Sequence, residues 1–363
     1  MATLREAKMR HAEHYRSVLA VTNTLLLKGD EDSITGLQLF DNEWPNIQEA
    51  WAWAEAGISS DVGAAVFCPA INDAGSHVLA LRQHPLERVC WLKAAIEVTQ
   101  NVATNRLLEC TLLANLGNAH LQLGQPREAI EILHESLGIA RQLKNRYATG
   151  LVFGSLGNAY ANLGDANNAI KYYLQDLHVS RRSGDKSGEV EVLLNLGGMY
   201  SRAGDDQSAF DCFEQALLIA RNLGNRRHEA GALGNLGVLY RRAGECEKAI
   251  ANHKLAFESY VSFRDLKGQA NSLGNLGLVN SDIGNYEVAL TFYDRQLMIA
   301  REISDPHGEA TALFNASLSL HRTGRRSVAT EQATTALKIY EQIGDAIALQ
   351  KVRETLDAWG IGR

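Results

Sequence analysis

The chain has 363 residues, a net charge of −6 and five prolines, and strand-like alternation is hard to find, so a soluble helical protein is expected. That charge gives no general affinity for nucleic acid, which makes nucleic acid an unexpected partner, though it leaves room for a local basic groove. Five scattered cysteines without Cys-x-x-Cys spacing argue against a disulfide framework or a zinc site; no apolar run has membrane-span length, and residues 1–10 are too charged for a signal peptide, so a cytoplasmic location is expected.

In chain order, residues 4–28 read as one helix and residues 37–55 as another, carrying Trp44, Trp51 and Trp53. Residues 57–77 are rich in Gly, Ser and Ala, with Pro69 expected to break any long helix. Val89, Leu92 and Ile96 match Ile130, Leu133 and Leu137 at an offset of 41, which predicts a degenerate helical repeat over 66–105 behind a helical capping region, 1–65.

From residue 106 onward the sequence is periodic at steps of 40: Asn115, Asn195, Asn235, Asn275 and Asn315 form one column, with Ser155 filling its gap. Columns of Leu (Leu116 to Leu276), Gly (Gly117 to Gly277, and Gly124 to Gly324) and Ala (Ala129 to Ala329) keep the same step, so six units can be cut over 106–345. Within a unit, apolar residues recur three and four apart in two stretches, the signature of a helix pair. The glycine between them, Gly124 and its equivalents, suits a left-handed helix end, and Asp165, Asp205 or Asn285 can cap the next helix. Asn145, Asp185, Asn225, Asp265, Asp305 and Asp345 fall where a following unit begins and can do the same; Pro126 and Pro306 fit first helical positions. Gly117 and Ala129 would let the paired helices approach closely, and each pair must stack on its neighbours to bury its apolar face. Residues 346–363 read as a carboxy-terminal capping helix.

Leu156-Gly157 with Tyr160 and Ala169, and Leu236-Gly237 with Tyr240 and Ala249, resemble the tetratricopeptide repeats. The period of 40 and the phrases Asn115-Leu-Gly-Asn118 and Ser155-Leu-Gly-Asn158 look most like the longer variant of the Pins and LGN scaffolds and of bacterial regulators. This resemblance implies an all-α, right-handed α-solenoid whose business is binding proteins. The amino-terminal segment resembles the junction between the ATPase core and the repeats in STAND NTPase regulators of the AfsR and MalT type. Its three pieces are His11-Ala12-Glu13-His14-Tyr15, then Asn46-Ile47 with Ala50-Trp51-Ala52-Trp53, then Trp91-Leu92-Lys93-Ala94-Ala95. No Gly-x-x-x-x-Gly-Lys-Ser/Thr phosphate loop occurs in the chain, which is then either the sensor end of such a regulator or a free-standing relative.

Catalytic constellations are weak, and no cofactor is expected. Gly231, Gly234 and Gly237 have the wrong spacing for a dinucleotide loop, and close helix packing explains them better. His11, His14 and Glu13 lack the i, i+4 histidine pair and a third ligand, so they read as a solvated helix face rather than a metal site. His120, His134, His178 and His253 occupy different columns.

The family resemblance implies that the first helices of successive units line a concave groove. Carried onto this chain, the partner-binding candidates are Asn115, Asn118, Asn158, Asn195, Asn235, Asn275 and Asn315, with Arg202, Arg242 and Arg322 a turn or two further on. Each carboxamide offers donors and an acceptor to the main chain of an extended peptide, and the arginines would favour carboxylate or phosphate groups. The competing reading makes the asparagines bond neighbouring helices and hold the register, and the arginines ordinary solvated side chains. The expected function is a non-enzymatic protein- or peptide-binding module, the sensor of a STAND-type regulator. An adaptor scaffold of the Pins and LGN kind is the alternative, and an enzyme with a site in 57–105 a third class.

Overall fold

Helix formation accounts for almost the whole chain. The computed structural model describes residues 3–28, 30–103 and 105–361, and among them no strand occurs. It divides into two compact units, residues 1–185 and 186–363.

The first unit opens with two long helices, α1 (Leu4–Lys28) and α2 (Asp30–Ala56), packed along each other. Short helices follow, α3 (Val62–Ala65), α4 (Phe67–Ala74) and α5 (Ser76–Arg82), then α6 (Pro85–Val98) and a π turn over Thr99–Ala103. No long helix runs through Pro69: α3 ends at Ala65 and α4 starts at Phe67. Pro69 lies in the first turn of α4, where an amide hydrogen would have no helical partner anyway, and a second break follows at Gly75, with a bend of 77° between 62–74 and 76–82. Trp51 and Trp91 stack at 4.2 Å, with Trp44 stacked on Trp91 from farther out. These rings join Ile71, Leu79 and Leu92 in a core that continues into α7 (Arg106–Gln122), α8 (Pro126–Gln142), α9 (Arg146–Leu163) and α10 (Ala166–Ser183). The same core holds a burial oddity: Arg88 is 4% exposed, its guanidinium donates to the Ser76 carbonyl at 3.2 Å, and its Nη1 has no partner.

The second unit is a run of helix pairs: α11 (Lys186–Ala203) with α12 (Asp206–Asn222), α13 (Arg226–Arg242) with α14 (Cys246–Ser262), α15 (Leu266–Asp282) with α16 (Tyr286–Glu302), and α17 (Pro306–Arg322) with α18 (Arg326–Ile343). The last helix, α19 (Ala346–Ala358), packs on α18, burying Val352 and Leu356 beside Phe314 and Tyr340. Trp359, just after it, stacks on His321 at 4.3 Å.

Two local devices set the geometry in both units. Asn145, Asp165, Asp205, Asn225, Asp265, Asp305 and Asp345 each accept a hydrogen bond from the amide three residues on, satisfying an otherwise free donor of a helix start. Asn285 precedes α16 but makes no side-chain capping bond, contrary to the sequence expectation. The second device is the glycine of each first helix. A Cβ at Gly117 would come within 2.6 Å of the Leu133 side chain, and one at Gly197 within 2.5 Å of the Phe213 ring, so only a bare Cα admits the large residue of the partner helix. In the last pair the sizes are exchanged: Ser317 carries the side chain and Ala333 faces it. Among the described residues no single helix is long and apolar enough to cross a membrane.

Candidate functional site

The asparagine column lies on the first helices, with its side chains partly open to solvent. Asn115, Asn195, Asn275 and Asn315 are half-buried and Asn235 is exposed. None of these five carboxamides has a hydrogen-bond partner among the described residues. The register-holding role therefore lacks its contacts, since a side chain that locks two helices together has to bond one of them.

In the second unit the column borders a cavity of about 390 Å³ along α13, α15 and α17. Asn235, Asn275 and Asn315 line it together with Asn271, Gln296, Thr311 and Tyr260. Gly231, Gly234, Val238 and Leu278 complete most of the wall, and none of its lining residues is charged. Thr311 is tied to the His307 carbonyl and the Tyr340 hydroxyl. The remaining amides present donors and acceptors to whatever enters, in a surrounding that contributes no fixed charge.

A second, more open cavity of about 400 Å³ lies in the first unit, lined by Asn118, Asn158, Gln122, Asn162, Leu121, Ala161 and Tyr173. Its polar groups are more committed: the Tyr173 hydroxyl donates to Asn158 Oδ1 at 2.7 Å, and Gln122 Nε2 donates to the Ala80 carbonyl at 3.1 Å. Asn118 keeps its carboxamide without a protein partner among the described residues. Asn115 and Asn195 line neither cavity.

The arginines do not act as a group. Arg242 is engaged, donating to the Ser201 carbonyl at 3.1 Å and its hydroxyl at 2.6 Å, and pairing with Asp206 at 2.5 Å. Arg241 pairs with Asp282 at 2.8 Å. Arg202 and Arg322 are exposed and have no ion-pair or hydrogen-bond partner among the described residues. Exposed pairs of this kind contribute little to stability, so Arg242 can change partners at small cost.

The glycine triplet separates into two kinds. A Cβ at Gly237 would lie 2.6 Å from the His253 ring, which is the close packing expected from sequence. Gly234 has nothing within 4 Å of that position, and Gly231 only Leu194 at 3.8 Å, so packing explains neither and both face the cavity. Gln296, which the sequence reading passed over, is 5% exposed, lies against Gly274, and has a buried Oε1 without a partner. No metal centre competes with this site: among the described residues no group of three His, Cys, Asp or Glu could hold an ion, and Glu13 pairs with Arg16 while His11 and His14 flank Tyr15.

Paired helices in 40-residue register, with a polar row on the first helix of each pair, define a repeat array. Residues 107–181, 147–217, 189–260 and 268–342 match the tetratricopeptide repeat model, and the chain belongs to that family. No curated protein matches it. Among solved structures it is similar to the STAND protein with a tetratricopeptide repeat sensor from Pyrococcus horikoshii, with a TM-score of 0.64, 17% identity, and coverage of 98% of this chain and 55% of that one. The apo quorum sensor NprR from B. thuringiensis aligns with a TM-score of 0.64 at 13% identity, covering 91% and 95%. A Rap protein complexed with Competence and Sporulation Factor aligns with a TM-score of 0.53 at 14% identity, covering 85% and 95%. These likenesses establish the fold.

Proposed function

We propose that the chain is a non-catalytic binding module that takes an extended peptide or protein segment along the first helices of its second unit. The observation that carries this reading is the unpartnered row Asn235, Asn275 and Asn315, half open to solvent on one uncharged cavity wall. Carboxamides spaced along successive helices can meet the alternating amide and carbonyl groups of an extended main chain, which supplies affinity independent of side-chain identity. Arg202 and Arg322, exposed and unpaired, add a place for an acidic group of the partner. The Rap protein of like fold, complexed with Competence and Sporulation Factor, supports a separate factor as the kind of ligand such an array accepts.

The setting we favour is the sensor part of a STAND-type regulator, where a bound partner would shift the array relative to an ATPase core. The coverage of the Pyrococcus protein, nearly all of this chain against about half of that one, supports it. A cytoplasmic adaptor of the Pins and LGN kind is the second reading, favoured by the 40-residue Leu-Gly repeat itself. Affinity purification followed by mass spectrometry, with wild type and an Asn235→Ala/Asn275→Ala/Asn315→Ala variant, tests the module. Partners lost from a variant that keeps its helical circular dichroism support the groove; an unchanged partner list removes it. An ATPase core encoded with this chain would select the sensor over the adaptor.

A further inference from the structure

Register comparison across the repeats shows how the cavity arises. One turn before the Asn-Leu-Gly glycine, the first helices carry Ala114, Gly154, Leu194, Gly234, Gly274 and Phe314; the second helices answer in order with Ser136, Asp176, Ala216, Ala256, Gln296 and Ala336. Where the first helix has a bare Cα, a polar side chain of the second helix usually reaches under it. A Cβ at Gly154 would meet the Asp176 carboxylate at 2.7 Å, and one at Gly274 would meet the Gln296 amide at 2.8 Å. Where the first helix is large, as at Leu194 and Phe314, the second has alanine. The fourth pair breaks this compensation: Gly234 faces the register of Ala256, and a Cβ there would meet nothing within 4 Å. One turn earlier, Gly231 stands where the other repeats have Thr111, Leu151, Glu191, Asn271 and Thr311.

Two adjacent missing side chains thus leave a hole in the wall of the second unit, and its chemistry is specific. The apolar surfaces are Val238, Leu278 and the Tyr260 ring; no charge lines it; and the nearly buried Gln296 amide sits there without a hydrogen-bond partner among the described residues. An unmet amide in a nearly buried position is costly, so the favourable occupant is one that brings a hydrogen-bonding group to its far end. The volume, about 390 Å³, is in the range of roughly 300–1,000 Å³ that ligand clefts occupy.

We propose that this hole is a specificity pocket for a large uncharged side chain with a terminal hydroxyl, a tyrosine of the bound peptide, which hydrogen-bonds the Gln296 amide. The proposal rests on the peptide-binding reading of the groove and adds what that groove selects. A carboxylate or ammonium is disfavoured because nothing in the wall compensates it.

The test is selection of a phage-displayed random peptide library on the full chain, followed by titration of the enriched peptides and their Tyr→Phe counterparts. Wild type is expected to enrich tyrosine at one fixed position and to bind it three- to tenfold more tightly than phenylalanine there, the size of one hydrogen bond. Gly234→Leu, which places in this repeat the residue found at Leu194, is expected to lose that enrichment and weaken tyrosine peptides at least tenfold while remaining helical. Gln296→Leu is expected to abolish the preference of Tyr over Phe. Peptides that bind without a fixed tyrosine, or that bind Gly234→Leu unchanged, overturn the pocket and leave the groove standing. Failure of wild type to enrich any peptide overturns both.

Discussion

The imidazole of His253 lies directly on the bare Cα of Gly237, fully buried, with neither ring nitrogen hydrogen-bonded. Equivalent positions hold Leu133, Tyr173, Phe213 and Tyr293, so a titratable ring occupies a slot built for apolar or aromatic groups. Burial, with Arg241 nearby adding to it, lowers the His253 pKa to about 4. Above pH ~6.5 the ring is neutral in both folded and unfolded chains and contributes no pH dependence. As pH falls from there toward 4 the unfolded chain takes the proton first, so the folded state loses stability, by up to roughly 3 kcal/mol. His253→Phe, which copies the Phe213 layer, should lower the slope of the urea midpoint between pH 7 and pH 5. An identical slope in the variant would contradict the assignment.

Arg264 occupies a left-handed helix end with φ of 56°, where the equivalent positions are Gly184, Gly224 and Gly344 in three repeats and Lys144 and Ser304, also at positive φ, in two. A side chain there crowds its own backbone, so Arg264→Gly should stabilise the protein by about 1 kcal/mol, net of glycine's extra unfolded-state entropy. A rise in melting temperature checks it, with Gly224→Ala expected to fall.

Arg88 is a buried guanidinium with no carboxylate partner among the described residues, and burial lowers its pKa to about 10. Desolvation without a counter-charge costs more than one hydrogen bond to Ser76 returns. Arg88→Met should raise stability by about 1–3 kcal/mol in chemical denaturation. A drop instead would contradict an uncompensated buried charge at Arg88.

Helix α19 covers the apolar side of the last pair through Val352, Leu356 and the Trp359 stack on His321. Removal of residues 346–363 would expose Phe314 and Tyr340, which should lower solubility and fray α17 and α18. Hydrogen exchange over residues 306–343 reads this directly, and unchanged protection with no aggregation would count against a capping role.

The parts of this protein that were legible in the sequence are those fixed by local rules. The Asp and Asn caps, the left-handed glycines and the Gly237 type of close contact each depend on backbone chemistry within a few residues or on a single facing side chain. What was not legible depends on which neighbour is missing. Gly234 and Gly237 look alike in sequence, yet one meets His253 and the other meets open space, because Ala256 is too small to fill its layer. Gln296 became visible only once Gly274 was seen to admit it, and Arg242 proved tied to Asp206 and Ser201 across the repeat interval of 36 to 41 residues. Asn285 failed as a cap although its residue type is right, and nothing in its surroundings explains the difference.

In the proposed function Asn235, Asn275 and Asn315 recognise the main chain of an extended segment. The most direct measurement is a fluorescence-anisotropy titration of one library-selected peptide against versions of it N-methylated at alternate backbone amides. Methylation removes a main-chain donor without touching a side chain, so a loss of tenfold or more in affinity is expected at the amides that face the row. No further loss is expected when the same peptides meet the Asn235→Ala/Asn275→Ala/Asn315→Ala variant. Equal affinity for methylated and unmethylated peptides at every position would contradict main-chain recognition.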